Sequence, residues 1–166
     1  MVRFAPLLLV LLASSPTGSE SKAPKHDRRV EMSAKGGLKV DLKRRIGVAH
    51  TDVVIRRDDV IVCCDRAEAH YSKSQIETVE CRGRVVIVRP DGTRARADVA
   101  FFEAKKDLLT LSGKARVKSK STDLLGDKII YDIAADQLDV RGAGSQFRFD
   151  PDPQKPMSME RACPPK

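Results

Sequence analysis

The sequence predicts an all-β protein built from repeated antiparallel hairpins, and three observations support this prediction. Apolar and polar residues alternate in LLTLSGKARVK, which is the period of a strand with one buried face. Glycines recur at Gly83, Gly113 and Gly142, about thirty residues apart. Between the two ends of the chain no segment has a clear helical stripe, and DRAEAHYSKS is the only ambiguous stretch.

The chain of 166 residues is long enough for one domain between two tails. Residues 1–19 combine a basic start, a short apolar run and small residues, which predicts a cleaved secretory signal peptide. That apolar run is too short to span a bilayer. Residues 20–29 are expected to be a flexible leader and the Pro-rich residues 150–166 a disordered tail. The β-domain is therefore predicted over residues 30–149.

Each repeat consists of a glycine-containing strand and a second strand with its own landmarks. The glycine segments are CRGRVVIVRPDG, LSGKARVKSK and DVRGAG, and HTDVVIRRDD has the same form with Asp52 in place of the glycine. An aspartate then recurs, at the expected entry of a turn into the second strand, and an aromatic residue follows it. These landmarks are Asp65 with Tyr71, Asp98 with Phe102, and Asp127 with Tyr131. Polar turns such as RPDG, KSKSTD, EAKKD and IAADQ connect the strands.

One parity of these strands is apolar and is expected to form an inner face. A single hairpin cannot bury this face, so successive units must stack into one groove or closed sandwich. The inner-face residues are Val85, Ile87, Ala100, Phe102, Leu109, Leu111, Ala115, Val117, Ile129, Tyr131, Leu138 and Val140. Alternation alone favours an ordinary, filled sandwich core over a lipid-binding face.

The segments GRVVIVRPDGTRARADVAFFE, LTLSGKARVKSKSTDLLGDKIIYD and LDVRGAG resemble the OstA-like domain of lipopolysaccharide-transport proteins, most closely its periplasmic bridging members. The resemblance covers about residues 38–149. The chain departs from the family pattern where Arg84 and Lys114 replace an asparagine after glycine, and at Asp52. The fold that the resemblance implies is an antiparallel jelly roll forming an open V-shaped groove with an apolar interior.

The function that the resemblance implies is lipid transfer without catalysis. A periplasmic protein of this kind would hold the acyl chains of lipopolysaccharide (lipid A) in its groove, with the twelve inner-face residues as the lipid contacts. It would stack end to end with its own copies and with related domains of inner-membrane and outer-membrane transport proteins. No cofactor, metal or nucleic acid is expected. The membrane-tethered branch of the family is disfavoured by the short apolar run.

The recurrent aspartates and the four cysteines are expected to be structural. No base or nucleophile recurs with Asp65, Asp98 and Asp127, so a catalytic role is disfavoured. In an exported chain, oxidised cysteine pairs are the ordinary expectation. We predict a disulfide between Cys64 and Cys81, with Cys63 as an alternative partner of Cys81. Cys163 would pair with the remaining cysteine or with another chain.

The formal net charge of +8 supports a competing function. A basic β-repeat domain with a filled core could bind an anionic polymer on its outer face. The chain has only five Phe and two Tyr and lacks Trp, which disfavours binding of single-stranded nucleic acid by base stacking. Basic residues near an opening could instead meet lipid phosphates. Salt would distinguish the two functions, because phosphate-driven binding weakens steeply with ionic strength and burial of acyl chains does not.

Overall fold

The computed structural model describes residues 30–73, 75–151 and 163, and all of the regular structure in these ranges is β-strand. The ten strands are β1 (Val30–Ser33), β2 (Leu38–Asp41), β3 (Ile46–Arg57), β4 (Val60–Tyr71), β5 (Ile76–Val88), β6 (Arg94–Glu103), β7 (Leu108–Lys118), β8 (Thr122–Asp132), β9 (Gln137–Arg141) and β10 (Gln146–Phe149). The predicted all-β class is confirmed. No helix of a length and apolarity that could cross a membrane occurs in these ranges. The predicted signal peptide, the leader and most of the predicted tail lie outside the described residues.

The strands form one antiparallel sheet of consecutive hairpins. Its order is β1-β3-β4-β5-β6-β7-β8-β10, while β2 also pairs with β3 and β9 also pairs with β8. Two short strands cover each outermost long strand. β1 and β2 both pair with β3, and β9 and β10 both pair with β8. The two ends of the sheet do not pair with each other. The sheet is therefore open, as the predicted jelly roll requires.

Pairs of residues with left-handed backbone conformation interrupt three of the long strands. The pairs are Thr51–Asp52 in β3, Gly83–Arg84 in β5 and Gly113–Lys114 in β7. The strand registers shift at the same points, so each pair is a β-bulge opposite an aspartate of the next strand. A bulge bends its strand and increases its twist. Because the bulges lie at the same level in every second strand, the whole sheet bends along one line.

This line divides the sheet into two halves, which share one hydrophobic core. The A half contains β2, β9 and residues 46–50, 66–71, 76–82, 99–103, 108–112 and 128–132. The B half contains β1, β10 and residues 53–57, 60–64, 85–88, 94–97, 115–118 and 122–126. The apolar faces of the halves pack on each other, so the interior lies inside the bend. We call the gap between the free ends of the two halves the mouth.

The bulges correct the repeat alignment of the first unit. Thr51, and not Asp52, is equivalent to Gly83, since it is the first residue of its left-handed pair, with a φ of 65°. Ala69, and not Tyr71, is equivalent to Phe102, because Ala69 pairs with Val79 as Phe102 pairs with Leu109. The first unit therefore lacks both the glycine and the aromatic residue at the repeat positions.

The recurrent aspartates also differ from the prediction. Asp65, Asp98 and Asp127 lie in the middle of β4, β6 and β8 and not where a turn enters a strand. The sequence pattern suggested a turn because a bulge uses the same residue types as a turn, with glycine in one strand and aspartate in the neighbouring strand. Each expected second strand is thus the latter part of a longer strand that passes through both halves.

The core between the halves is built from small and medium-sized aliphatic residues. Seven buried residues are alanines: Ala49, Ala67, Ala69, Ala95, Ala97, Ala100 and Ala115. The largest fully buried side chains are Leu111, Ile129, Val53 and Val85. Small side chains allow the two halves to approach closely, so that Ala49, Ala67 and Ile129 are completely inaccessible. The protein's own side chains therefore fill the central interior.

Candidate functional site

The twelve predicted inner-face residues lie on the interior face of the sheet, but they differ in exposure. Seven are buried in the core: Val85, Ile87, Ala100, Leu111, Ala115, Val117 and Ile129. Phe102, Leu109 and Val140 are partly buried and pack against it. Tyr131 is paired with Leu109 on one side and with Leu138 on the other. Leu138 lies in an edge strand and is 42% exposed. Their role as lipid contacts stays a prediction.

Several residues of this interior were not predicted from the sequence. Val53 and Ile55 belong to the core, and the alternation in HTDVVIRRDD was a usable signal for them. Leu124 could not be predicted as an inner-face residue because of the bulge, which makes Ala115 pair with Gly126 while Leu111 pairs with Ile129. The parity of the inner face therefore changes within β8. Such a change follows from strand register and cannot be recognised from alternation.

Two contacts close the mouth between strands that are not neighbours in the sheet. The Arg57 guanidinium of β3 lies 5.1 Å from the ring centroid of Phe102 in β6, which is cation–π geometry. Arg89, just after β5, donates a hydrogen bond of 3.4 Å to the Tyr131 hydroxyl of β8. In each case the arginine lies at the free end of the B half and the aromatic residue lies in the A half.

The Tyr131 hydroxyl is bound from two sides. It donates a hydrogen bond of 2.7 Å to Oδ1 of Asp136 while accepting the bond from Arg89. Burial and this bond to Asp136 raise the pKa of Tyr131, although the Arg89 charge opposes them. The neutral phenol is therefore the form that the folded mouth favours. The stability that it contributes is present below the phenol's ordinary pKa and is lost as pH rises through the raised pKa.

We expect the variant Asp136→Asn to lower the pKa of Tyr131. The substitution removes the negative charge that favours the neutral phenol, and leaves an amide oxygen as a weaker acceptor. A spectroscopic titration at alkaline pH in a Tyr71→Phe background would follow Tyr131 alone, because the chain has two tyrosines. Asp139→Asn is the control, since Asp139 pairs with Arg141 in the same region. An unchanged titration in Asp136→Asn would contradict the hydrogen bond to Asp136.

The aspartates of the bend line fill the space beside glycines of the next strand. A Cβ atom placed at Gly113 would lie 2.5 Å from Oδ2 of Asp98, and Gly83 and Gly142 meet Asp65 and Asp127 in the same way. Asp65 also accepts hydrogen bonds from the Arg84 guanidinium. This repeated packing supports the predicted structural role.

The cysteine pairing differs from the prediction. Cys63 forms a disulfide with Cys163, while Cys64 and Cys81 are buried thiols, so the predicted disulfide between Cys64 and Cys81 is not formed. Consecutive residues of a strand point to opposite faces. Cys64 and Cys81 belong to the core between the halves, and Cys63 lies on the outer face, where Cys163 reaches it.

The two thiols interact with each other inside the core. The Cys81 thiol lowers the pKa of Cys64, while the Cys64 thiol and burial raise the pKa of Cys81. Cys64 also donates a 3.2 Å hydrogen bond to the carbonyl of Arg66. Sequence could not distinguish Cys63 from Cys64, since the choice depends on which face each occupies.

The basic outer face is partly neutralised by ion pairs. Arg116 binds Asp123 through two hydrogen bonds of 2.8 and 2.5 Å. Arg84 pairs with Asp65, and Arg82 pairs with Glu80. No group of three or more His, Cys, Asp or Glu residues with the geometry of a metal site occurs in the described ranges. The outer face thus does not form one continuous block of free positive charge.

Large exposed apolar side chains gather at the two ends of the sheet. Leu38, Val40 and Leu42 lie in or beside β2, with exposures of 53%, 47% and 79%. At the other end, Leu138 lies in β9, Phe147 and Phe149 lie in β10, and Ile133 directly follows β8. Terminal strands with unpaired edges and exposed apolar residues are suited to pairing with another sheet.

Comparison with known proteins gives a consistent assignment. The family described as LptA/(LptD N-terminal domain) LPS transport protein matches residues 37–137. No curated protein sequence matches the chain. Among solved structures, the chain is similar to LptH of Pseudomonas aeruginosa, the LptA homologous periplasmic component of its lipopolysaccharide transport device. That similarity has a TM-score of 0.65 and 20% identity, and covers 78% of this chain and 93% of LptH. The chain belongs to the LptA/LptD N-terminal domain family of lipopolysaccharide-transport proteins, which is a transport family and not an enzyme family.

Proposed function

We propose that this protein is a periplasmic lipopolysaccharide-binding transfer protein that shields acyl chains between the A and B halves. The single observation that supports this most strongly is the apolar interior of an open sheet, in a chain that belongs to a lipopolysaccharide-transport family. Burial of each methylene group stabilises the bound lipid by about 0.8 kcal/mol. A few acyl segments between the halves would therefore supply the binding free energy without any reaction.

Binding in the interior requires the halves to separate. Core residues such as Ala67, Leu111 and Ile129 are at most 1% exposed, so an acyl chain can reach them only when the B half moves away from the A half. The bend line of bulges is the natural hinge, because the two halves are connected there by the backbones of the long strands, which pass from one half into the other. The contacts at the mouth must break during this movement.

End-to-end association would extend the apolar path. The exposed apolar residues at both ends of the sheet, together with the open edges of the short terminal strands, support pairing of one copy with the next. Related domains of inner-membrane and outer-membrane transport proteins would dock on the same edges. A periplasmic location agrees with the disulfide between Cys63 and Cys163, because such bonds persist in oxidising compartments.

Photo-crosslinking in cells that make lipopolysaccharide would test this function. A photoreactive amino acid at Phe102 or Tyr131 is expected to form lipopolysaccharide adducts, because both positions line the mouth of the interior. Lys118 is the control, since it is exposed on the outer face of β7. Absence of adducts at both inner positions, or equal labelling at Lys118, would contradict acyl-chain binding in the interior and favour an outer-face anion site.

A further inference from the structure

Arg57 and Arg89 occupy equivalent positions in the repeat. Each lies four residues beyond the first inner-face residue after a bulge, which is Val53 in β3 and Val85 in β5. This parity is that of the interior, so both arginines project from the inner face at the free end of the B half. The equivalent residue after β7 is Ser119. The B side of the mouth therefore has two cationic groups next to an apolar interior.

The present partners of these arginines are weak compared with an ion pair. Arg57 lies over the face of Phe102, and no carboxylate within the described ranges lies within 4.0 Å of its nitrogen atoms. Arg89 donates to Tyr131 at 3.4 Å and has Asp91 at 3.9 Å. By comparison, Arg116 on the outer face binds Asp123 at 2.8 and 2.5 Å. The mouth arginines thus retain most of their capacity to bind an anion.

Opening of the mouth would release both guanidinium groups. Each contact joins the B half to the A half, so separation of the halves breaks both at once. An amphiphile whose acyl chains lie inside would then have its headgroup at this rim. Guanidinium groups bind phosphate through paired, charge-assisted hydrogen bonds, which are stronger than either present contact.

We propose that Arg57 and Arg89 form a binding site for the phosphorylated headgroup of a lipid whose acyl chains occupy the interior, a proposal that rests on the proposed function. In this arrangement Phe102 and Tyr131 hold the arginines at the closed mouth, and the headgroup replaces them when the mouth opens. The two arginines project from strands separated by β4, about 10 Å apart at the backbone. This separation suits two anionic groups on one headgroup.

The test compares the double variant R57Q/R89Q with the matched control R56Q/R96Q. Arg56 and Arg96 lie on the outer face of β3 and β6, and both variants lose two positive charges. The dissociation constant of the full chain would be measured for lipid A with two phosphates, for dephosphorylated lipid A and for inorganic phosphate. We expect R57Q/R89Q to weaken binding of phosphorylated lipid A about tenfold or more and to leave dephosphorylated lipid A nearly unchanged. The control should change neither.

Three results would overturn the proposal. Unchanged binding of phosphorylated lipid A by R57Q/R89Q would remove the arginines from the site. Equal weakening for both lipids would mean that they only pack the mouth. Binding of inorganic phosphate as tight as that of lipid A would make the site a free-phosphate site. If the wild-type protein binds neither lipid, the proposed function itself fails, and this result differs from the others because it appears before any substitution.

A second readout does not depend on the stability of the glutamine variants. The variant R57K/R89K keeps both charges but loses the guanidinium geometry, so we expect intermediate affinity for phosphorylated lipid A.

The chain has no Trp and two Tyr, so in a Tyr71→Phe background the intrinsic fluorescence reports on Tyr131. Phosphorylated lipid A should change this fluorescence saturably in the Arg-containing protein. No change at saturating lipid would contradict the release of Arg89 from Tyr131.

Discussion

The variant Gly113→Ala is expected to destabilise the protein by about 3 kcal/mol, of which about 1–2 kcal/mol is backbone strain. Gly113 has a φ of +78°, and its new Cβ would lie 2.5 Å from Oδ2 of Asp98. The clash would displace the carboxylate or open the bulge, and the bend line depends on bulges at the same level in β3, β5 and β7. Chemical denaturation of the purified protein would measure the change.

Two matched variants separate backbone strain from the clash. Gly92 also has a positive φ, of +85°, but a Cβ there would meet nothing within 4 Å, so Gly92→Ala should cost only the backbone component of about 1–2 kcal/mol. The double variant Asp98→Gly with Gly113→Ala removes the clashing atoms and should recover part of the loss relative to the sum of the single variants. Strict additivity of the two changes would contradict the direct contact between Asp98 and Gly113.

The variant F147K/F149K is expected to weaken end-to-end association about 100-fold. Phe147 and Phe149 are 66% and 62% exposed in the terminal strand β10, and an interface there would bury both rings. Loss of this burial, with two charges in its place, corresponds to about 3 kcal/mol of association free energy. Sedimentation velocity over a range of protein concentrations would measure the shift towards the monomer.

The control variant S145K/Q146K adds the same two charges beside the same edge without removing an aromatic ring. Ser145 precedes β10 and Gln146 begins it, and both side chains are exposed. We expect this variant to associate within a few fold of the wild-type protein, because exposed charges contribute little. Equal association of the wild-type protein and F147K/F149K would show that the copies do not meet through β10.

Much of the fold could be predicted from local patterns. Residues such as Leu111, Ala115 and Val117 alternate with charged neighbours, and this period specifies a strand with one apolar face wherever the strand lies. Likewise Gly113 recurs at the spacing of Gly83 because each unit must bend at the same place. The family resemblance rested on these same repeated residues.

The arrangement at the mouth and the partners of the cysteines depended on the tertiary structure. Arg57 meets Phe102 and Arg89 meets Tyr131 only because the sheet bends, which brings together strands that are three positions apart in the sheet order. Cys63 and Cys64 are neighbours in the sequence, yet opposite faces give one a disulfide and the other a place in the core. Strand periodicity is a local property, set by the backbone geometry of each residue. Register across a bulge and contacts across a bend are not local, since they arise when distant segments pack together.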